Sequence, residues 1–141
     1  MAHYLFGETT KLTRRTTMKP ILCLDFDGVI HSYSSGWQGP GIISDAPVPG
    51  AFEFIHQSLR HFDVQVFSAR SGLPMGIETM KKWFIQNGWP ESSPDTPEKI
   101  KFPTTKPPAC VSLDDRAITF TGNWPELGDL RKFTPWNGSA V

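Results

Sequence analysis

Cysteine is scarce in this chain. There are two residues, Cys23 and Cys110, and both fall in apolar runs. A free cysteine in such a run serves as a small buried apolar side chain. Nothing here makes a disulfide framework, so a reducing cytoplasm is the expected location. Excess charge of either sign is also missing, with 14 basic and 14 acidic residues. That excludes the basic surface that marks a nucleic-acid binder. It leaves a phosphorylated nucleic-acid end open as a substrate. No stretch reaches the roughly 20 apolar residues of a membrane span, and no membrane partner is expected. No apolar segment follows the early charges as it does in a secretory signal. There is no internal repeat. What the chain has in quantity is turn formers, 13 prolines and 12 glycines. They imply long irregular connections between few regular elements. The length, 141 residues, fits one domain. A domain of this size buries roughly two-thirds of its unfolded surface.

The chain is organised around Ile21-Leu22-Cys23-Leu24-Asp25-Phe26-Asp27-Gly28-Val29-Ile30. Pro20 and Gly28 bound an apolar run of a length that reads as a strand buried on both faces. In open α/β sheets the ligand site lies beyond the carboxyl ends of the strands, and Asp25 and Asp27 sit at that end. Two carboxylates there repel each other and resist desolvation. A hard divalent cation such as magnesium, which prefers oxygen ligands, removes the difficulty.

Residues 1–19, with Lys11, Arg14, Arg15 and Lys19, read as a flexible leader. Residues 29–49 are broken by Gly36, Gly39, Pro40, Gly41, Pro47 and Pro49. They are too few for a folded cap and suit a small flap over Asp25. Tyr33 and Trp37 either line the entrance or pack the flap down. His31 is expected to pack or hydrogen-bond. Residues 50–62 have helical apolar spacing and 63–69 read as a second strand, giving a parallel βαβ pair. That strand ends at Ser68-Ala69-Arg70. Ser68 can donate its hydroxyl to a phosphate oxygen, with the Ala69 backbone beside it. Arg70 is either a phosphate contact or a solvated loop residue. A second helix covers 74–88, ended by Gly88. An acidic, proline-rich loop follows at 89–98, then a short edge strand at 99–102. A second apolar run, Ala109-Cys110-Val111-Ser112-Leu113, ends in Asp114-Asp115-Arg116. This repeats the logic of the first acidic pair. Residues 117–121 suit a fifth strand and 125–133 a last helical turn. Trp124 and Trp136 pack the C-terminal segment, and 137–141 form a tail.

Asp25-Phe26-Asp27-Gly28-Val29 resembles the first motif of the haloacid dehalogenase-like superfamily, whose members are mostly magnesium-dependent phosphatases. Ser68 is similar to its second motif and Asp114-Asp115 to its fourth, in the right order over about residues 20–136. The resemblance implies an α/β, three-layer Rossmann-like fold without a large cap. The expected sheet is mostly parallel, of about five strands in the order 3-2-1-4-5. It also implies an aspartyl-phosphate mechanism. Asp25 is the nucleophile and Asp27 the general acid and base. Asp25, the Asp27 backbone carbonyl and Asp114 hold magnesium. Ser68, Ala69 and Lys106 hold the phosphate, with Lys101 the reserve lysine. Asp115 and Arg70 stand behind them. Two other readings use the same pocket: a phosphate-binding module without turnover, and a phosphoryl-accepting receiver-like domain.

Overall fold

The structure is a computed structural model that describes residues 18–90 and 100–138. Most of the expected leader, nearly all of the acidic loop and the end of the tail lie outside the described residues.

Leu22 and Leu24 of β1 (Ile21–Leu24) project to one side of the sheet, as alternation along a strand requires. Val64 and Val66 of β2 (Asp63–Val66) pair with them in parallel register, Leu22 opposite Val64 and Leu24 opposite Val66. β3 (Val111–Leu113) lies on the other side of β1, also parallel, with Leu24 opposite Leu113. The sheet therefore has three strands in the order β2-β1-β3.

Two helices cover this apolar face. α1 (Ala51–Ser58) contributes Ile55 and α2 (Gly76–Gln86) contributes Met80, Trp83 and Phe84. These join Leu22, Leu24, Val64, Val66 and Phe26 in one core cluster. The helices touch each other as well, with the Phe52 and Phe84 rings stacked at 5.3 Å. Phe26 is fully buried and meets Trp83 edge-on at 5.0 Å. Each such burial contributes about 1.5–3 kcal/mol. The opposite face carries the row Gln65, Cys23 and Ser112. α3 (Leu127–Arg131) is short and exposed along its whole length.

The five-stranded, three-layer expectation is thus corrected to a small mixed α/β fold with three strands. Both missing strands have a physical reason. At 99–102, of which Lys99 lies outside the described residues, Lys101 alone pairs with Gln65. Its N–H donates to the Val64 carbonyl and its carbonyl accepts from Val66. Pro103 then stops the ladder, because proline has no N–H to give. Residues 117–121 alternate like a strand but run exposed, with Ile118 and Phe120 more than half accessible. Alternation alone does not supply a neighbouring edge to bond. No helix among the described residues is long and apolar enough to cross a membrane.

Candidate metal and phosphate site

The site begins with one backbone bond. The Asp25 N–H donates to the Leu113 carbonyl at 2.9 Å, which extends the β1–β3 pairing by one residue. Beyond that bond both strands turn acidic. Asp25 leaves β1 and Asp114 and Asp115 leave β3 at the same carboxyl end of the sheet. One ligand oxygen from each of the three lies within 4.8 Å of the others.

Gly28 makes this convergence possible. It turns the chain at φ 85°, and a Cβ there would lie 2.2 Å from Asp115 Oδ2. Only a residue without a side chain lets the Asp115 carboxylate settle against the turn. That carboxylate is buried, and neither oxygen has a hydrogen-bond partner among the described residues. The Arg116 guanidinium approaches one of them at 3.8 Å. Asp114 stays exposed and accepts the Arg116 backbone N–H at 2.8 Å. Asp25 accepts the Phe26 N–H at 2.9 Å.

Burial first, then the Asp115 and Asp114 carboxylates, pushes the Asp25 carboxyl up to about 8. The three acids on their own therefore favour the protonated form of Asp25 near neutral pH. A hard cation suits this donor set. It would offset the repulsion among the three carboxylates and favour the ionised form of Asp25. Asp25, Asp114 and Asp115 are the residues that would hold it. Asp115 thus lies in one cluster with Asp25 and Asp114.

Asp27 faces another way. Its Oδ2 accepts from Arg70 Nε at 2.9 Å, and its Oδ1 from Arg70 Nη2 at 3.1 Å and His31 Nδ1 at 2.8 Å. His31 Nε2 in turn accepts the Asp45 N–H at 3.1 Å. This fixes the imidazole as the Nδ1–H tautomer. Arg70 is wholly buried, not a solvated loop residue. Its Nη1 serves the flap carbonyls of Gly39, Pro40 and Ile42. The flap itself is pinned where His31 pairs with Pro47 and where Trp83 Nε1 donates to the Asp45 carbonyl at 2.9 Å.

Ser68 follows β2 in a tight turn. Its hydroxyl accepts the Arg70 N–H at 3.0 Å, and its own N–H donates to Ser71 Oγ at 3.0 Å. The Ser68 hydroxyl proton remains to donate elsewhere. Ala69 is exposed at the tip of that turn. Lys106 is exposed and acts on the Cys23 thiol, as do Asp25 and Asp114. Burial is the chief cause that raises this thiol, and Lys106 lowers it. Lys101 sits at the far end of the sheet, where its ammonium bonds Asp63 at 3.0 Å. Asp63 pairs with Ile21, the first residue of β1. That position takes Lys101 away from the acids and leaves Lys106 as the lysine to consider.

Two residues near the acids carry little signal in the sequence. Trp136 donates its indole N–H to the Gly28 carbonyl at 2.8 Å, which ties the C-terminal segment to the first acidic turn. Tyr33 holds a positive φ of 60°, rare for a side-chain-bearing residue. Its hydroxyl is pushed up by burial and Asp27, while Arg116 and Arg70 draw it down. Tyr33 thus stands within the field of the site's own charges.

No protein-family model, curated protein or solved structure matches this chain.

Proposed function

We propose that the chain is a divalent-cation-dependent phosphomonoester hydrolase that works through an aspartyl-phosphate on Asp25, as the resemblance to haloacid dehalogenase-like phosphatases implies. The observation that carries this reading is the meeting of Asp25, Asp114 and buried Asp115 at the carboxyl ends of β1 and β3. Three carboxylates gathered this closely repel one another, which a cation would offset.

The Asp25 carboxylate attacks phosphorus in line, the bond to the leaving oxygen breaks, and that oxygen takes a proton from Asp27. Water then cleaves the aspartyl-phosphate, with its proton returning to Asp27. The Ser68 hydroxyl, the Ala69 N–H and the Lys106 ammonium hold the phosphate oxygens as charge redistributes. A bound divalent cation supplies charge neutralisation between carboxylate and phosphate.

The test is hydrolysis of 4-nitrophenyl phosphate with magnesium. Wild type turns it over, chelator stops it, and Asp25→Asn lowers kcat by about a thousandfold or more while the fold persists. Undiminished turnover in Asp25→Asn, or after exhaustive chelation, overturns the reading. One observation favours the binding-module alternative: both Asp27 oxygens are already engaged by Arg70 and His31. Phosphate binding with no turnover in the same assay would select it.

A further inference from the structure

Arg70 joins two parts of the molecule that the proposed chemistry needs to move together. On one side its guanidinium makes a forked pair with Asp27, at 2.9 and 3.1 Å. On the other, one nitrogen of the same planar group serves three carbonyls of the flap backbone. These are Gly39 at 2.9 Å and Pro40 and Ile42 at 3.2 Å each. Trp37, also on the flap, lies over the guanidinium at 4.7 Å. Its ring is 47% exposed, so part of it remains open to a ligand. Arg70's own backbone is fixed. Its N–H is held by Ser68, and its carbonyl abuts Gly76, where a Cβ would come within 1.8 Å of the oxygen. A wholly buried guanidinium is costly to keep and offers no packing that an apolar side chain would lack.

We propose that Arg70 is a positioning residue that couples the seat of the flap to the orientation of the Asp27 carboxyl group. This rests on the hydrolase reading above. With the flap seated as described, both Asp27 oxygens are bonded and neither is offered to a leaving group. A substrate whose leaving group packs against the exposed part of Trp37 shifts the flap carbonyls, and the guanidinium follows them. The Nη2 bond to Asp27 Oδ1 yields, that oxygen takes up a proton from solvent, and the carboxyl group turns to the ester oxygen. The ester oxygen gains the Asp27 proton as the phosphorus–oxygen bond breaks. The resulting carboxylate pairs again with Arg70, and the water that cleaves the aspartyl-phosphate returns the proton. The class of substrate favoured is a phosphomonoester with a ring or apolar leaving group that needs protonation to depart.

The experiment compares Arg70→Lys with wild type on phenyl phosphate and 4-nitrophenyl phosphate, both with magnesium. Lysine keeps the charge but cannot fork. The nitrophenolate departs without a proton, whereas phenolate departs poorly. Misplacing the proton donor therefore lowers kcat/KM for phenyl phosphate about tenfold more than for 4-nitrophenyl phosphate. An equal loss on both substrates means a merely structural role and overturns the proposal. A second arm needs no turnover. In Asp27→Asn, a change that keeps the shape, backbone amides of residues 36–43 exchange with deuterium about fivefold faster or more than in wild type. Flap exchange identical to wild type overturns the coupling, whatever Arg70→Lys does. Should wild type hydrolyse neither ester, the hydrolase reading falls, while the exchange arm still decides whether Arg70 links flap and carboxylate.

Discussion

Asp115 shows how much one side chain can decide at this site. Two adjacent acids end β3, and a sequence cannot say which of them turns inward. The structure turns Asp115 in and leaves Asp114 exposed. Its only early sign is Gly28, which must lack a side chain for Asp115 to fit. Asp115→Asn is therefore expected to weaken magnesium binding by about tenfold to a hundredfold, in the range of other residues that support a metal. The fold should hold, since the amide is isosteric. Titration calorimetry of the two proteins checks this, and equal affinities would exclude Asp115 from the cation site. Asp25 and Asp114 were legible because each follows directly on an apolar run. Arg70 was not. A loop arginine reads as a phosphate contact or a solvated residue, and nothing local announces that three flap carbonyls and a carboxylate hold it.

Among the elements, the turn from Ser68 to Gly76 carries the most constraint. Ser68 and Ser71 bond each other's backbone, Met75 is held at a positive φ of 67°, and Gly76 lies against the Arg70 carbonyl. Gly76→Ala forces that carbonyl aside. A loss of about 1–3 kcal/mol in unfolding free energy is expected. Hydrolysis should fall by more than the unfolded fraction explains, because Ser68 and Arg70 both hang on the same turn. Urea unfolding together with activity on the folded fraction measures both. A fully stable, fully active variant would show that the turn has room it is not seen to have. The three strands and the helices between them were readable from apolar runs and helical spacing. The expected third and fifth strands failed because a strand is a pairing, not a pattern. Lys101 finds one partner before Pro103 ends the ladder, and 117–121 find none among the described residues.

For the whole molecule, the acids impose a pH signature. The unfolded chain releases the Asp25 proton near 3.8, and the folded chain retains it to about 8 in the absence of a cation. Between those values the folded state binds more protons than the unfolded state, so stability falls as pH rises through that window. In chelator, Tm should drop by several degrees from pH 5 to 8, with each kcal/mol worth about 2–8 °C at this size. Magnesium should flatten the decline, and Asp25→Asn should remove this component. Thermal scans at several pH values, with and without magnesium, test it. A wild-type profile in chelator that matches Asp25→Asn throughout would mean that the crowding of acids leaves no thermodynamic trace.

The bond from the Asp25 N–H to the Leu113 carbonyl has one further consequence. It closes the sheet by joining an early segment to a late one, and the clustered carboxylate oxygens exist as a set only once that closure is made. Neither half of the polypeptide owns the cluster, so a nascent chain cannot assemble it until β3 has docked.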